Sequence, residues 1–241
     1  REIQYIESLG KDLDGIRFYL DLIGSESDSR YYRWGLTETW EYHSISHFDF
    51  IKLSFESPAS YNTNPYEYYY CWRTEKIPGL YSSSTVNLTS NQKKKIPLNH
   101  VSGNSNRLIY KYSMLVEQYS LNEGAYNYWN RVKVEAEELG GLHTQQPGQV
   151  ESNLVNMNDM DEVVLGYFWV AAKSTKRIFI SHPTGLYVSQ PCRLEPFEYE
   201  TASYPLYIAV FPFSGLELTS EPECLDCRIL GGSNIEPSFW E

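Results

Sequence analysis

The stretch VVLGYFWVAAKSTKRIFIS, Val163 to Ser181, decides how the chain is read. Laid out as a strand, it puts Val163, Leu165, Tyr167, Trp169 and Ala171 on one face. Val164, Gly166, Phe168, Val170 and Ala172 fall on the other. A half-buried strand alternates apolar with polar, and here both faces are apolar. The expectation is a central strand covered on both sides, so the rest of the chain must supply two layers.

Working outward, other segments do alternate. Gly15 to Gly24 places Ile16, Phe18, Leu20 and Leu22 on one face. Tyr31 to His43 (YYRWGLTETWEYH) places Tyr32, Trp34, Leu36 and Trp40 on one face, with Glu38 among them. Phe48 to Phe55, Tyr66 to Arg73 (YEYYYCWR) and Leu80 to Leu88 read as further strands, and Ile3 and Tyr5 as part of a short edge strand. Arg107 to Tyr119 is a long strand with Leu108, Tyr110, Tyr112, Met114 and Val116 on a common face. The polar run Thr89 to Asn106, with Lys93, Lys94 and Lys95, reads as a solvated loop. Asn153 to Val155 reads as a short strand. Leu206 to Phe213, ending at Pro212, reads as an edge or terminal strand.

One helix is expected. Ser120-Leu121-Asn122-Glu123 fits a capping box, and Ala125, Tyr128, Trp129, Val132, Ala136 and Leu139 follow at helical spacing until Gly140-Gly141. This amphipathic helix, near 121–139, is the expected cover for one face of Val163–Ser181. About eight strands and one helix predict a mainly β chain. The expected architecture is an immunoglobulin- or fibronectin-like β-sandwich with an inserted helix, over 1–220. Residues 221–241 are expected to wrap as an ordered tail carrying CxxC, since leaving Phe239-Trp240 exposed would be costly.

Composition excludes some functions. With 31 acidic and 20 basic residues the formal charge is −11, opposite to what nucleic acid or an anionic lipid surface attracts. No apolar run is long enough to span a bilayer. The chain begins at Arg1 rather than Met, so a removed start is expected.

Candidate sites are few. Cys71, Cys192, Cys224 and Cys227 suit disulfides in an oxidising compartment, with three pairings open. The CxxC at Cys224–Cys227 could instead be half a zinc site or a redox pair, but a zinc ribbon wants a second CxxC and redox motifs open a helix. The structural reading is preferred. His43 and His47 lie four apart, which suits zinc only on a helix, and their flanks are strand-like. Asn156, Asn158, Asp159, Asp161 and Glu162 form an oxygen-rich run without the glycine or terminal glutamate of a calcium loop. Tyr66, Tyr68, Tyr70 and Trp72 could form a stacking platform for a glycan or peptide, although cross-strand packing explains them as well. No catalytic fingerprint is present, so no catalytic residue, cofactor or metal site is expected.

Five segments together carry a resemblance: YYRWGLTETWEY at Tyr31–Tyr42, CWRTEK at Cys71–Lys76, YSMLVEQYSLNEGAYNYW at Tyr112–Trp129, VLGYFWVAAKSTKRIFI at Val164–Ile180 and CLDCRILGGSNIEPSFW at Cys224–Trp240. In this order the chain resembles the Bacteroidota outer-membrane lipoprotein family known as domain of unknown function four-two-four-nine. The resemblance implies a secreted protein, tethered to the outer membrane at the cell surface by an N-terminal lipid. It also implies an additional N-terminal β-domain before this chain, and gene neighbourhoods containing TonB-dependent receptors. Cys71, Cys224 and Cys227 match the family's cysteine positions, and the export route makes disulfides expected. No catalytic residue carries over. The expected function is a non-enzymatic accessory subunit of a TonB-dependent receptor in nutrient uptake. The alternatives are a stand-alone glycan or peptide binder and a structural or assembly subunit of a larger envelope complex.

Overall fold

The computed structural model describes residues 2–8, 15–44, 50–53, 60–62, 65–138, 152–183, 195–196, 206–210, 217–219 and 222–240. The strands are β1 (Glu2–Ser8), β2 (Gly15–Ile23), β3 (Tyr31–His43), β4 (Phe50–Leu53), β5 (Ser60–Asn62), β6 (Tyr70–Lys76), β7 (Tyr81–Ser84), β8 (Gln92–Ser102), β9 (Lys111–Leu121), β10 (Ala172–Ser181), β11 (Glu195–Pro196), β12 (Leu206–Val210) and β13 (Glu217–Thr219). Helix α1 spans Glu123–Glu138 and the short α2 spans Pro222–Leu225. No helix among the described residues is long and apolar enough to cross a membrane.

Among the described residues all strand pairing is antiparallel, in three sheets. The first runs β1-β2-β8, the second β10-β9-β3-β6 with β7 also on β3, and the third β11-β13-β12-β4-β5. The first two share one core. Ile16, Phe18, Leu20 and Leu22 of β2, with Ile96, Leu98 and Val101 of β8, bury against the second sheet. That sheet contributes Tyr32, Trp34, Leu36, Trp40 and Tyr42 of β3 and Tyr112, Met114 and Val116 of β9. Each such apolar side chain contributes roughly 1.5–3 kcal/mol by leaving water. The mainly β sandwich with one inserted helix, expected from the alternation, is the observed architecture.

Strand β3 is its centre. Its even positions are all buried and none of its odd positions is exposed. The expected doubly covered strand is therefore Tyr31–His43 and not Val163–Ser181. Only Ala172–Ser181 of the latter is a strand, and it lies at a sheet edge. Gly166 adopts φ +107°, a conformation that glycine tolerates and other residues avoid. Before it Val164 points inward. After it Tyr167 and Trp169 do, so the alternation slips phase at the glycine.

Four further expectations are corrected. The lysine-rich run is strand β8, not a loop. It slips register against β2 between Arg17 and Tyr19, and again between Leu20 and Leu22. Lys95 has φ 55° at the second slip, and its N–H donates to Asp21 Oδ1 at 2.8 Å. Two bulges in one strand erase the period of two that the sequence would have shown. Asn153–Val155 is irregular: the Asn153 side chain, rather than a strand backbone, pairs with Phe168. Leu206–Val210 sits inside its sheet, between β13 and β4, rather than at an edge. Helix α1 is capped by Asn122, whose Oδ1 accepts from Ala125 N at 2.8 Å, because Ser120 still belongs to β9. Leu139, the last residue of the expected helical stripe, lies outside the described residues.

One carboxylate is sealed into the core. Glu38, 2% exposed, accepts from Arg107 Nη1 at 2.7 Å and from the Tyr112 hydroxyl at 2.9 Å. Burial pushes its carboxyl up, against the lowering effect of Tyr112 and Arg107. Removing the guanidinium would strand the charge. Arg107→Ala is expected to cost about 2–4 kcal/mol near neutral pH. A carboxyl with a raised folded pKa favours folding at low pH and loses that advantage as pH rises to the folded value. The deficit of Arg107→Ala therefore narrows toward pH ~4, which urea unfolding across pH would measure.

Candidate functional site

The outer face of β3 carries Tyr31, Arg33, Gly35, Thr37, Thr39, Glu41 and His43. Two covers lie on it. At one end the cover is α1 together with the segment 163–171 that leads into β10. Tyr126 packs on Tyr31, with ring centroids 5.1 Å apart. Trp129 lies over the Arg33 guanidinium at 4.0 Å. Trp169 meets Trp129 edge-on at 6.2 Å and Tyr119 at 5.6 Å, and Tyr167 meets Tyr128 at 5.0 Å. Gly124 admits Tyr167 here, since a Cβ would lie 2.5 Å from its hydroxyl. Burial lowers the Arg33 pKa, and no carboxylate pairs with it among the described residues. Stacking on the indole takes the place of a counter-ion.

These inward rings fix the segment as a strap and turn its other residues outward. Val163, Leu165, Phe168 and Val170 are exposed, with Leu165 at 76% and Val170 at 77%. Upstream, Leu154, Val155, Met157 and Met160 are exposed as well, Met157 at 81%. The upstream part is also held. Asn153 donates from Nδ2 to Phe168 O at 2.8 Å and accepts from Phe168 N at 2.7 Å. The oxygen-rich run closes on itself: Asn156 Oδ1 accepts from Asn158 N, Asp159 Oδ1 accepts from Asp161 N, and Asn156 Nδ2 donates to Glu162. The result is a run of exposed apolar side chains on irregular chain, with Asp159, Asp161 and Glu162 among them. Soluble chains seldom present one unless it meets something.

The second cover is the C-terminal tail. Trp72 and Ser233 exchange backbone hydrogen bonds of 2.8 and 2.9 Å. On the core side of the sheet Cys71 is bonded to Cys227 and the Tyr42 hydroxyl donates to Cys227 O at 2.7 Å, which anchors the tail whose end reaches the outer face. Closing a loop of 156 residues, that bridge removes denatured-state entropy equivalent to about 5 kcal/mol. Cys224 is also disulfide-bonded, and Cys192 lies outside the described residues. The CxxC is thus neither a redox pair nor half a zinc site. Trp240 donates from Nε1 to Glu41 Oε2, and the Phe239 ring lies 3.5 Å from the Arg177 guanidinium. The hydrogen bond from His43 Nε2, with Trp240 adding, holds the Glu41 carboxyl below the usual range.

The proposed tyrosine platform is divided among other duties. Tyr68 lies under Arg228 at 4.1 Å, Tyr70 meets His43 edge-on at 4.7 Å, and Trp72 is held by the tail. Tyr66 alone of the four is widely exposed, at 60%. His43 stacks on Tyr110 at 3.6 Å, and His47 lies outside the described residues. Among the described residues no cluster could hold a metal ion. A cleft opens where β2 and β8 slip register, beside Arg17 and His100, and both already have partners.

The strap depends on Trp129. In Trp129→Ala the strap loses its Trp169 contact and Arg33 its indole. Proteolysis within 152–171 is expected to accelerate ~10-fold or more, corresponding to about 1.4 kcal/mol or more of lost local stability. Limited digestion followed by mass spectrometry reads the cleavage sites. Cleavage at the wild-type rate would separate the strap from its ring contacts.

No curated protein and no solved structure matches this chain. A family model described as a domain of unknown function, DUF4249, matches residues 2–177, well over half of the chain. That span takes in β1 through most of β10, α1 and the strap. The chain belongs to the DUF4249 family.

Proposed function

We propose that this protein is a non-enzymatic accessory subunit of the cell envelope, and that it works by docking a partner protein on the strap. One observation carries the reading: eight large apolar side chains between Leu154 and Val170 are exposed on a segment that an aromatic ladder holds in place. A disordered apolar segment would bear an ordering cost on binding, whereas a fixed one presents its surface ready-made. Asp159, Asp161 and Glu162 sit within the patch, which suits a protein groove with a basic rim better than an anionic lipid surface.

The lipoprotein resemblance supplies the compartment and the partner. The protein would sit on the outer membrane, lipid-anchored at the cell surface, and its partner would be a TonB-dependent receptor engaged in nutrient uptake. The disulfides suit an oxidising location of this kind.

A photoreactive residue at Leu165 or Val170, in cells of the native source, tests this. A barrel receptor is expected to crosslink there and not from Ile235, which is equally exposed on the tail. Leu165→Glu with Phe168→Glu is expected to weaken retention of the receptor in mild detergent by ~100-fold or more, with unchanged unfolding. A receptor retained at full strength by that variant, or a wild-type protein that purifies alone, contradicts the reading.

A further inference from the structure

Strand β10 pairs with β9 along all ten residues, from Ala172↔Ser120 to Ser181↔Lys111, without a bulge. Among the described residues, no strand lies on its other side. A long regular edge is a ready template for another chain's backbone. Its position matters as much as its length. The strap runs directly into β10, so exposed Phe168 and Val170 flank the start of the open edge.

Charge narrows the occupant. In a chain of net charge −11, β10 carries Lys173, Lys176 and Arg177. Lys173 is held by Glu117 at 2.9 Å, and Arg177 donates to Ser113 Oγ at 2.9 Å. Lys176 is exposed, and no acidic residue pairs with it among the described residues. Lysines on an edge repel a basic strand, and against a neutral one their charge loses water with no counter-ion in return. They also repel a second copy, because two β10 edges meeting about a two-fold axis would set Lys176 and Arg177 near their own counterparts. What they admit is an acidic strand.

We infer that β10 receives an extended, acidic segment of the partner by strand addition, with the strap covering that segment's apolar side chains. This rests on the reading of the strap as a docking surface. The partner's backbone would complete the edge, carboxylates on one of its faces would meet Lys176, and its apolar residues would pack toward Phe168 and Val170.

The test titrates the full chain with a synthetic peptide of alternating valine and glutamate, matched to β10 in length. A peptide of alternating valine and lysine is the control. Saturable binding of the acidic peptide is expected, with alternate amides of β10 protected from hydrogen exchange. Lys176→Glu, a surface change, should weaken it ~10-fold or more, and the basic peptide should not bind. Four outcomes overturn the inference: no binding of the acidic peptide, binding without β10 protection, binding indifferent to Lys176→Glu, or β10 protection from self-association at rising protein concentration. If the Leu165 crosslink to a receptor persists while the peptide fails, strand addition alone is wrong. If the peptide binds and the crosslink fails, the receptor reading is wrong instead.

Discussion

Strand β3 has to be covered on both faces, and the rest of the molecule follows from that requirement. Its even residues from Tyr32 to Tyr42, Glu38 apart, are too large and apolar to face water, so β2 and β8 close over them. Its odd residues include Tyr31, Arg33, Glu41 and His43, which are neither core residues nor an ordinary solvated face. A second set of elements settles on them. The helix and strap take the Tyr31–Arg33 end, and the disulfide-held tail takes the Glu41–His43 end. Both covers use the same chemistry, rings laid against cations: Trp129 on Arg33, and Phe239 on Arg177. Such contacts tolerate partial hydration, which suits a half-covered face.

Covering β3 in this way has a consequence for the surface. A single strap of extended chain cannot be apolar on its inner side alone when its sequence, Val163 to Ala171, is apolar throughout. Tyr167 and Trp169 turn inward, so Phe168 and Val170 must turn outward. The scaffold and the proposed contact surface are therefore alternate residues of one segment. A substitution on one side can be read apart from the other only if the backbone holds, and the paired Asn153–Phe168 hydrogen bonds help it do so.

Much of the scaffold was legible in the residues. The alternation in β2, β3 and β9 and the helical spacing after Asn122 gave the elements and their inward faces. What escaped has physical causes. In β8, one register slip precedes Ile96 and another separates Leu98 from Val101, so the inward residues follow no simple period. In Val163–Ala171, the positive φ of Gly166 shifts the phase, and one of the two apolar faces is exposed rather than enclosed. The Cys71–Cys227 pairing needs a distance, and a sequence contains none. Of the candidate site residues, the cysteines were recognisable as structural. The aromatic run Tyr66–Trp72 read as packing in preference to a platform, and its members are spread between an exposed turn, a histidine stack and the tail. The strap was conspicuous as sequence, yet its exposed face became visible only with the fold.

The central claim is that the strap is a fixed surface in the unbound protein. Its most direct test is the distance distribution between spin labels at Leu165 on the strap and Val134 on the exposed side of α1, measured by pulsed electron resonance. The account predicts a single narrow distribution that broadens when Trp169 is replaced by alanine. A broad distribution in the wild-type protein, unchanged by that substitution, would contradict it.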